Sequence, residues 1–358
     1  MTYFDYRLIS DPAIQTDYRH LEHRSKNIAS SIMQAYGQAK KPIGFRFINE
    51  REFNAFASLD DDGNHYWVEV NAAVPLLVMM LFYRLFSDKR ILPLLDPDVA
   101  PATNFELPFI LNPETYDRRI EWQVSTSAIR GFAAGTVADL CSTFVVLHEF
   151  GHIICGHADG IRHYEKGEKL AELVSRARNP ENSTEQRKMV LERRKAWERD
   201  ADMIAAIFLT QFVEDLANPA LTEPRTRRVF NDADGFNLEH TLAIAVAALF
   251  AFFCYVQGSR QKLEKQSSHP HPQVRSLFVK DMLVQELSKR RKLDADKFHD
   301  LMMERLDEMM AALADIDLLD TSGFTAAFDR TMDQERKGLE TLHAAHKDSC
   351  AQWRWFDW

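Results

Sequence analysis

The sequence predicts an α+β fold that is mainly α, a helical domain with a small N-terminal β-sheet or hairpin flanking one buried helix. Three observations predict it. Strand-like alternation is confined to residues 43–70. The stretches beyond it carry apolar residues at helical spacing over long runs. The run His148-Glu149-Phe150-Gly151-His152 lies inside one of them, between Phe144-Val145-Val146-Leu147 and Ile153-Ile154, so its helix is expected to be buried.

In chain order, residues 12–40 read as a polar helix ended by Pro42. Ile43–Ile48 alternates as a strand, and Phe53–Leu59 and Tyr66–Val70 follow as two more, joined by a turn at Asp62-Gly63. An apolar helix follows Pro75, and residues 91–118, rich in proline and asparagine, read as a loop. Residues 127–160 are mostly helical. Residues 165–195 are charged, lack a strong apolar stripe and are broken at Asn179–Ser183, which predicts a helical hairpin insert. Helices are expected again over 196–212, 238–257, 272–316 and 323–347, before the aromatic tail Trp353–Trp358. The tail is expected to pack on the core, because exposed tryptophans are costly.

The chain has 358 residues, 46% of them apolar, enough to build a sizeable core. Its net charge of −9 argues against a nucleic-acid partner. The basic clusters Arg193–Lys195 and Lys289–Lys292 are flanked by acids and read as solvated helix faces. Cys141, Cys155, Cys254 and Cys350 form no CxxC pair and read as reduced core thiols of a cytoplasmic protein. The N-terminus has no apolar segment of the signal-peptide kind. The apolar run Leu242–Val256 is shorter than the roughly 20 residues a spanning helix needs, so a core helix and no membrane span are expected.

The chemistry lies in two motifs. A helix turns about 100° per residue, so His148 and His152 project from one face about 40° apart, the arrangement that grips one metal ion with two ring nitrogens. Glu149 then points beside the ion, placed to act on water. The second motif is Glu198-Arg199-Asp200-Ala201-Asp202. Glu198 can complete a His/His/Glu zinc set with a fourth position open. Asp202, one turn on, can accept from the far nitrogen of a ligand histidine. Asp200 lies about 200° round the helix from Glu198 and reads as a surface charge. His157 is about 140° off the face of His152, and with Cys155 and Ala158 at the positions a metzincin needs for glycine and histidine, it reads as a helix-end residue, not a ligand. Gly151 leaves room for a backbone to come close.

HExxH followed by ExxAD resembles the gluzincins, especially the minigluzincins, which include proteases related to HtpX and the CAAX prenyl proteases. Two further elements match in order: Asn54-Ala55-Phe56-Ala57 with the Tyr66–Val70 strand, similar to that family's hairpin, and His269-Pro270-His271-Pro272-Gln273-Val274-Arg275, similar to its HPxxxxR element. The resemblance covers about residues 43–86, 137–158, 196–212 and 242–279. It implies a zincin-like metallopeptidase domain over 1–282, with a C-terminal helical extension over 283–358. It implies one zinc ion held by His148, His152 and Glu198, with Glu149 as general base and Asp202 orienting a ligand. His269 would donate to the oxyanion, with Arg275 anchoring its segment. His271 competes for that role, and His269 also reads as a simple helix-start histidine. The hairpin, Asn54–Ala57, would offer an edge strand to an extended protein or peptide substrate. Size and HExxH context are also similar to the Lit-type phage-exclusion peptidases of bacteria, the sole pointer to host defence. Beside the endopeptidase reading stand a zinc-stabilised, non-catalytic regulatory or toxin-like module and a metal hydrolase acting on a non-peptide bond.

Overall fold

The computed structural model describes residues 2–36, 41–96, 107–114, 127–164, 170–171, 184–231, 237–262, 270–319 and 326–355. The fold is α+β and mainly α. Helix α1 (Pro12–Tyr36) leads into strands β1 (Ile43–Ile48), β2 (Ala55–Leu59) and β3 (Tyr66–Asn71). Helices α2 (Ala73–Phe86), α3 (Ala128–Ile154) and α4 (His157–Tyr164) follow, then the two-residue strand β4 (Leu170–Ala171). The rest is helical: α5 (Thr184–Ala217), α6 (Pro224–Phe230), α7 (Asn237–Lys262), α8 (Pro272–Arg290), α9 (Ala295–Ala314) and α10 (Ala326–His346).

The sheet order is β1-β3-β2-β4. β1 runs parallel to β3, with Ile43 opposite Tyr66, and β2 is antiparallel to β3, with Ala55 opposite Val70. The outer side of β2 is not a bare edge. Phe56 pairs with Ala171 and Ala57 with Leu170, so a substrate strand at this edge would have to take the place of β4. That corrects the expectation of an open edge along Asn54–Ala57, whose side chains are also buried. Sequence alternation marks a strand but not what pairs with its far side.

α1 buries Ile14, Tyr18, Leu21, Ser25, Ala29 and Ile32, the one-face spacing of an amphipathic helix. Arg24 anchors it to α3 with a two-pronged contact to Asp139, at 2.6 and 2.7 Å. α3 lies at the centre, against α5, α2, α7, α1 and the sheet. Ser127 caps its N-terminus, accepting from Arg130 N. Its buried Phe144, Val145, Val146, Leu147, Phe150, Ile153 and Ile154 contribute on the order of 10–20 kcal/mol of apolar transfer. That is enough to hold polar groups on the same helix in the interior, where each unpaired ion costs several kcal/mol.

Three segment readings change. α5 runs unbroken from Thr184 to Ala217, so 184–195 is the first part of the helix that carries Glu198, not a separate insert. No glycine or proline interrupts it. Residues 165–169 and 172–183 lie outside the described residues. The single helix expected over 272–316 is two, because Arg291 is extended and Asp294 caps α9 by accepting from Lys297 N. Arg193 and Arg194 are buried, with Arg193 over the rings of Tyr164 and Trp197, whereas Lys289–Lys292 is exposed as expected.

α3 and α7 each have the length and composition to cross a membrane, so the apolar window of α7 is longer than the run read from sequence. Both are mostly buried against the other helices. The four cysteines are buried and free. Of the tail, Trp355 is buried at the end of α3, its backbone N–H donating to the Ile154 carbonyl at 3.0 Å. Residues 356–358 lie outside the described residues.

Glu308 on α9 carries a pH prediction. Its carboxylate accepts from Leu92 N at 3.0 Å and from Arg305. Burial pushes the carboxyl up to about 7, against the lowering effects of Leu92 N–H and Arg305. A carboxyl raised on folding stabilises the protein fully below its unfolded pKa, and that contribution is lost as pH rises through about 7. Glu308→Gln is therefore expected to raise stability at pH 8 by about 1–3 kcal/mol and to have little effect at pH 4. Urea unfolding at the two pH values checks it, and an equal effect at both would contradict it.

Candidate metal centre

Two helices build the centre. HExxH occupies the C-terminal half of α3 and ExxAD the middle of α5, and these helices pack directly on each other. Gly151 makes that approach possible. A Cβ there would lie 2.8 Å from Ala201 Cα and 2.9 Å from its carbonyl oxygen. The backbone expected to come close to Gly151 is thus that of α5, and Ala201 is the small residue facing it.

The approach brings His148, His152 and Glu198 together. His148 Nε2 is 3.1 Å from His152 Nε2 and 3.2 Å from Glu198 Oε2, and His152 Nε2 is 3.8 Å from Glu198 Oε1. Zinc–ligand bonds of about 2.0–2.1 Å set tetrahedral ligand atoms roughly 3.4 Å apart, so these spacings fit one zinc-sized ion. His148, Glu149 and His152 are 0% exposed, Glu198 1% and Asp202 3%. Glu149 follows His148 within the same buried turn.

The far nitrogen of each histidine is held. His148 Nδ1 is 2.8 Å from Asp202 Oδ1. Asp202 also accepts from Arg275 Nε at 2.8 Å and Nη2 at 2.6 Å, and the guanidinium lies over the Phe253 ring. Burial pushes the Asp202 carboxyl up, but the Arg275 charge and the hydrogen bonds of His148 and Arg275 outweigh it and hold it low. An ionised Asp202 only accepts, so His148 carries its hydrogen on Nδ1 and turns a bare Nε2 inward. Electron-rich atoms of His148, His152 and Glu198 thus converge in a water-poor interior. A cation held between them would relieve their mutual repulsion, and two imidazoles with one carboxylate are a set that divalent transition metals accept.

Asp200 and His157 depart from expectation. Asp200 is 1% exposed, not a surface charge, because α10 covers the side of α5 opposite Glu198. His343 Nε2 of α10 lies 2.6 Å from Asp200 Oδ1. Burial pushes the Asp200 carboxyl up, but the close approach of His157 and the hydrogen bond of His343 hold it at about 2. His157 is buried, with Nδ1 2.9 Å from His152 Nδ1, and burial pushes its pKa down toward the neutral ring. It lies outside the group of His148, His152 and Glu198, yet it touches His152. The ring of Trp197, the residue just before the second motif, stacks on His157 at 5.1 Å.

Of the remaining expected residues, Arg275 grips Asp202 as described. His271 caps α8, its Nδ1 accepting from Gln273 N at 3.3 Å. His269 lies outside the described residues. Ala55–Ala57 lies in β2, and Asn54, just before it, accepts from Asn71 N at 3.0 Å.

No family model, curated protein or solved structure matches this chain.

Proposed function

We propose that this protein is a zinc-dependent endopeptidase of the gluzincin type, with a zincin-like fold. One observation carries the reading: the convergence of His148, His152 and Glu198, with Glu149 in the same buried turn. His148, His152 and Glu198 would hold the zinc. Zinc bound there supplies Lewis acidity, which makes water nucleophilic near neutral pH and polarises a carbonyl. Glu149 takes the proton of the attacking water and returns it to the leaving amine. Asp202 and Arg275 hold the His148 ring in place. His269 is proposed as a donor to the oxyanion. The substrate is a flexible protein segment, not nucleic acid, and the protein is cytoplasmic without a membrane span.

A second reading is a metal-stabilised, non-catalytic regulatory or toxin-like module. The complete burial of the ligands favours it, since a catalytic centre needs a path for substrate.

Purified wild type is expected to contain one zinc per chain and to cleave an unstructured protein such as casein, with activity lost to a chelator and restored by zinc. Glu149→Gln is expected to keep the zinc and lose activity by at least about 100-fold. Glu198→Ala is expected to lose both. Full activity in Glu149→Gln would sink the mechanism, and stoichiometric zinc in an inactive wild type would favour the second reading.

A further inference from the structure

His148 and His152 are oriented by different means. Asp202 holds His148 directly. Behind His152 runs a longer chain through three other helices. His152 Nδ1 meets His157 Nδ1 of α4 at 2.9 Å. His157 Nε2 faces Asp200 Oδ2 of α5 at 3.6 Å, and Asp200 Oδ1 meets His343 Nε2 of α10 at 2.6 Å. The first and last contacts are hydrogen bonds, and the middle one is a close electrostatic contact.

The direction of the chain follows from what each group can do. An ionised Asp200 only accepts, so it favours a hydrogen on His157 Nε2 and one on His343 Nε2. A neutral His157 with its hydrogen on Nε2 has a bare Nδ1, which accepts from His152 Nδ1. His152 then has a bare Nε2, the atom that faces Glu198 and His148. The His157 ring has little freedom to do otherwise. It stacks on Trp197 with the planes 12° apart, and Trp197 Nε1 donates to Ser349 Oγ at 3.1 Å. Gly156, with φ +78°, turns the chain between α3 and α4 so that His157 comes back against His152. A side chain at Gly156 would meet Trp353 at 2.8 Å.

We propose that His157 and Asp200 are positioning residues of the metal centre, fixing His152 with its Nε2 lone pair inward, and that α10 completes them through His343. The C-terminal helix is then a working part of the centre, not an appendage. This rests on the metal reading of the site, and its test separates the two.

The test uses the full-length protein, with zinc affinity measured by competition with a chromophoric chelator and folding checked by circular dichroism. His157→Phe keeps a ring for Trp197 and removes both nitrogens. It is expected to weaken zinc binding by about 10–100-fold, the usual cost of losing the partner behind a ligand histidine. His157→Asn places an acceptor oxygen near the position of Nδ1 and is expected to recover most of that loss. His343 is 22% exposed, so its replacement is expected to leave the fold intact. His343→Phe is expected to weaken zinc binding several-fold, and His343→Gln, which restores a donor near Nε2, to reverse it. Side-chain ¹⁵N spectra of the metal-free protein are expected to show His152 protonated on Nδ1.

A folded His157→Phe with wild-type affinity, or His157→Asn no better than His157→Phe, would overturn the relay. So would a His152 protonated on Nε2 in the metal-free protein. If wild type binds zinc and Glu198→Ala does not, such results remove the relay alone. If wild type takes up no zinc, the metal reading falls, and the ¹⁵N spectra still decide whether His157 fixes the His152 tautomer.

Discussion

Replacing Arg275 with methionine is expected to destabilise the fold by about 3–5 kcal/mol, the cost of stranding a buried charge. Asp202 is buried and held low by the Arg275 charge, after the opposing effect of its own burial. Without the guanidinium, it must either stay ionised in a water-poor interior or take up a proton. The first choice is the energetic loss. The second removes the charge that fixes His148, so zinc affinity is expected to fall as well. Methionine preserves contact with the Phe253 ring, over which the guanidinium lies, so lost packing is a small part of the effect. Urea unfolding with zinc competition measures both losses. The double variant Arg275→Met/Asp202→Leu is expected to regain much of the stability but not the affinity, because an apolar pair strands no charge. A loss below about 1 kcal/mol in Arg275→Met would mean that the pair is not the buried, water-poor contact described.

Gly151→Ala is expected to separate α3 from α5 and to disperse the ligand set. The added Cβ would meet Ala201 Cα at 2.8 Å, its carbonyl oxygen at 2.9 Å and Ile204 Cβ at 3.2 Å. Two of these atoms are backbone, so relief requires a shift of one helix against the other. Overpacking of this kind costs about 1–3 kcal/mol, and one methyl group is enough to cause it. The site is more sensitive than the fold. Glu198 is three residues from Ala201, and its distances to the two histidines depend on how closely the helices approach. Loss of most bound zinc is expected even where the protein remains folded. Gly131→Ala is the control, since its Cβ would meet Tyr83 Cε1 at an ordinary 3.5 Å. That change is expected to be neutral or stabilising by up to about 1 kcal/mol, the helix preference for alanine. Thermal melting and elemental analysis of the two variants check the contrast, and equal effects would contradict it.

Much of the centre is legible in the chain because each pair of candidate site residues lies within one helix. The four-residue spacings of His148 with His152 and of Glu198 with Asp202 specify shared faces before any fold is known. The three main strands are legible for the same kind of reason, since alternation is local. The rest depends on neighbours. The place of Asp200 opposite Glu198 on α5 predicts a solvated charge only for a helix with one covered side. α10 covers the other side. The helical period puts His157 off the face of His152, but α3 ends at Ile154, and the turn at Gly156 brings His157 back against His152. Nothing near residue 343 marks it as a partner of residue 200.

The sequence by itself determined the fold class, the two motif-bearing helices and the residues whose atoms converge between them. Helical and strand periods are properties of consecutive residues, and they suffice for that. Only the tertiary structure decided the pairing of β2 with β4, the burial of Asp200 and the line from His152 to His343. Each joins segments distant in the chain, and a period describes angles about one axis without saying what packs against it.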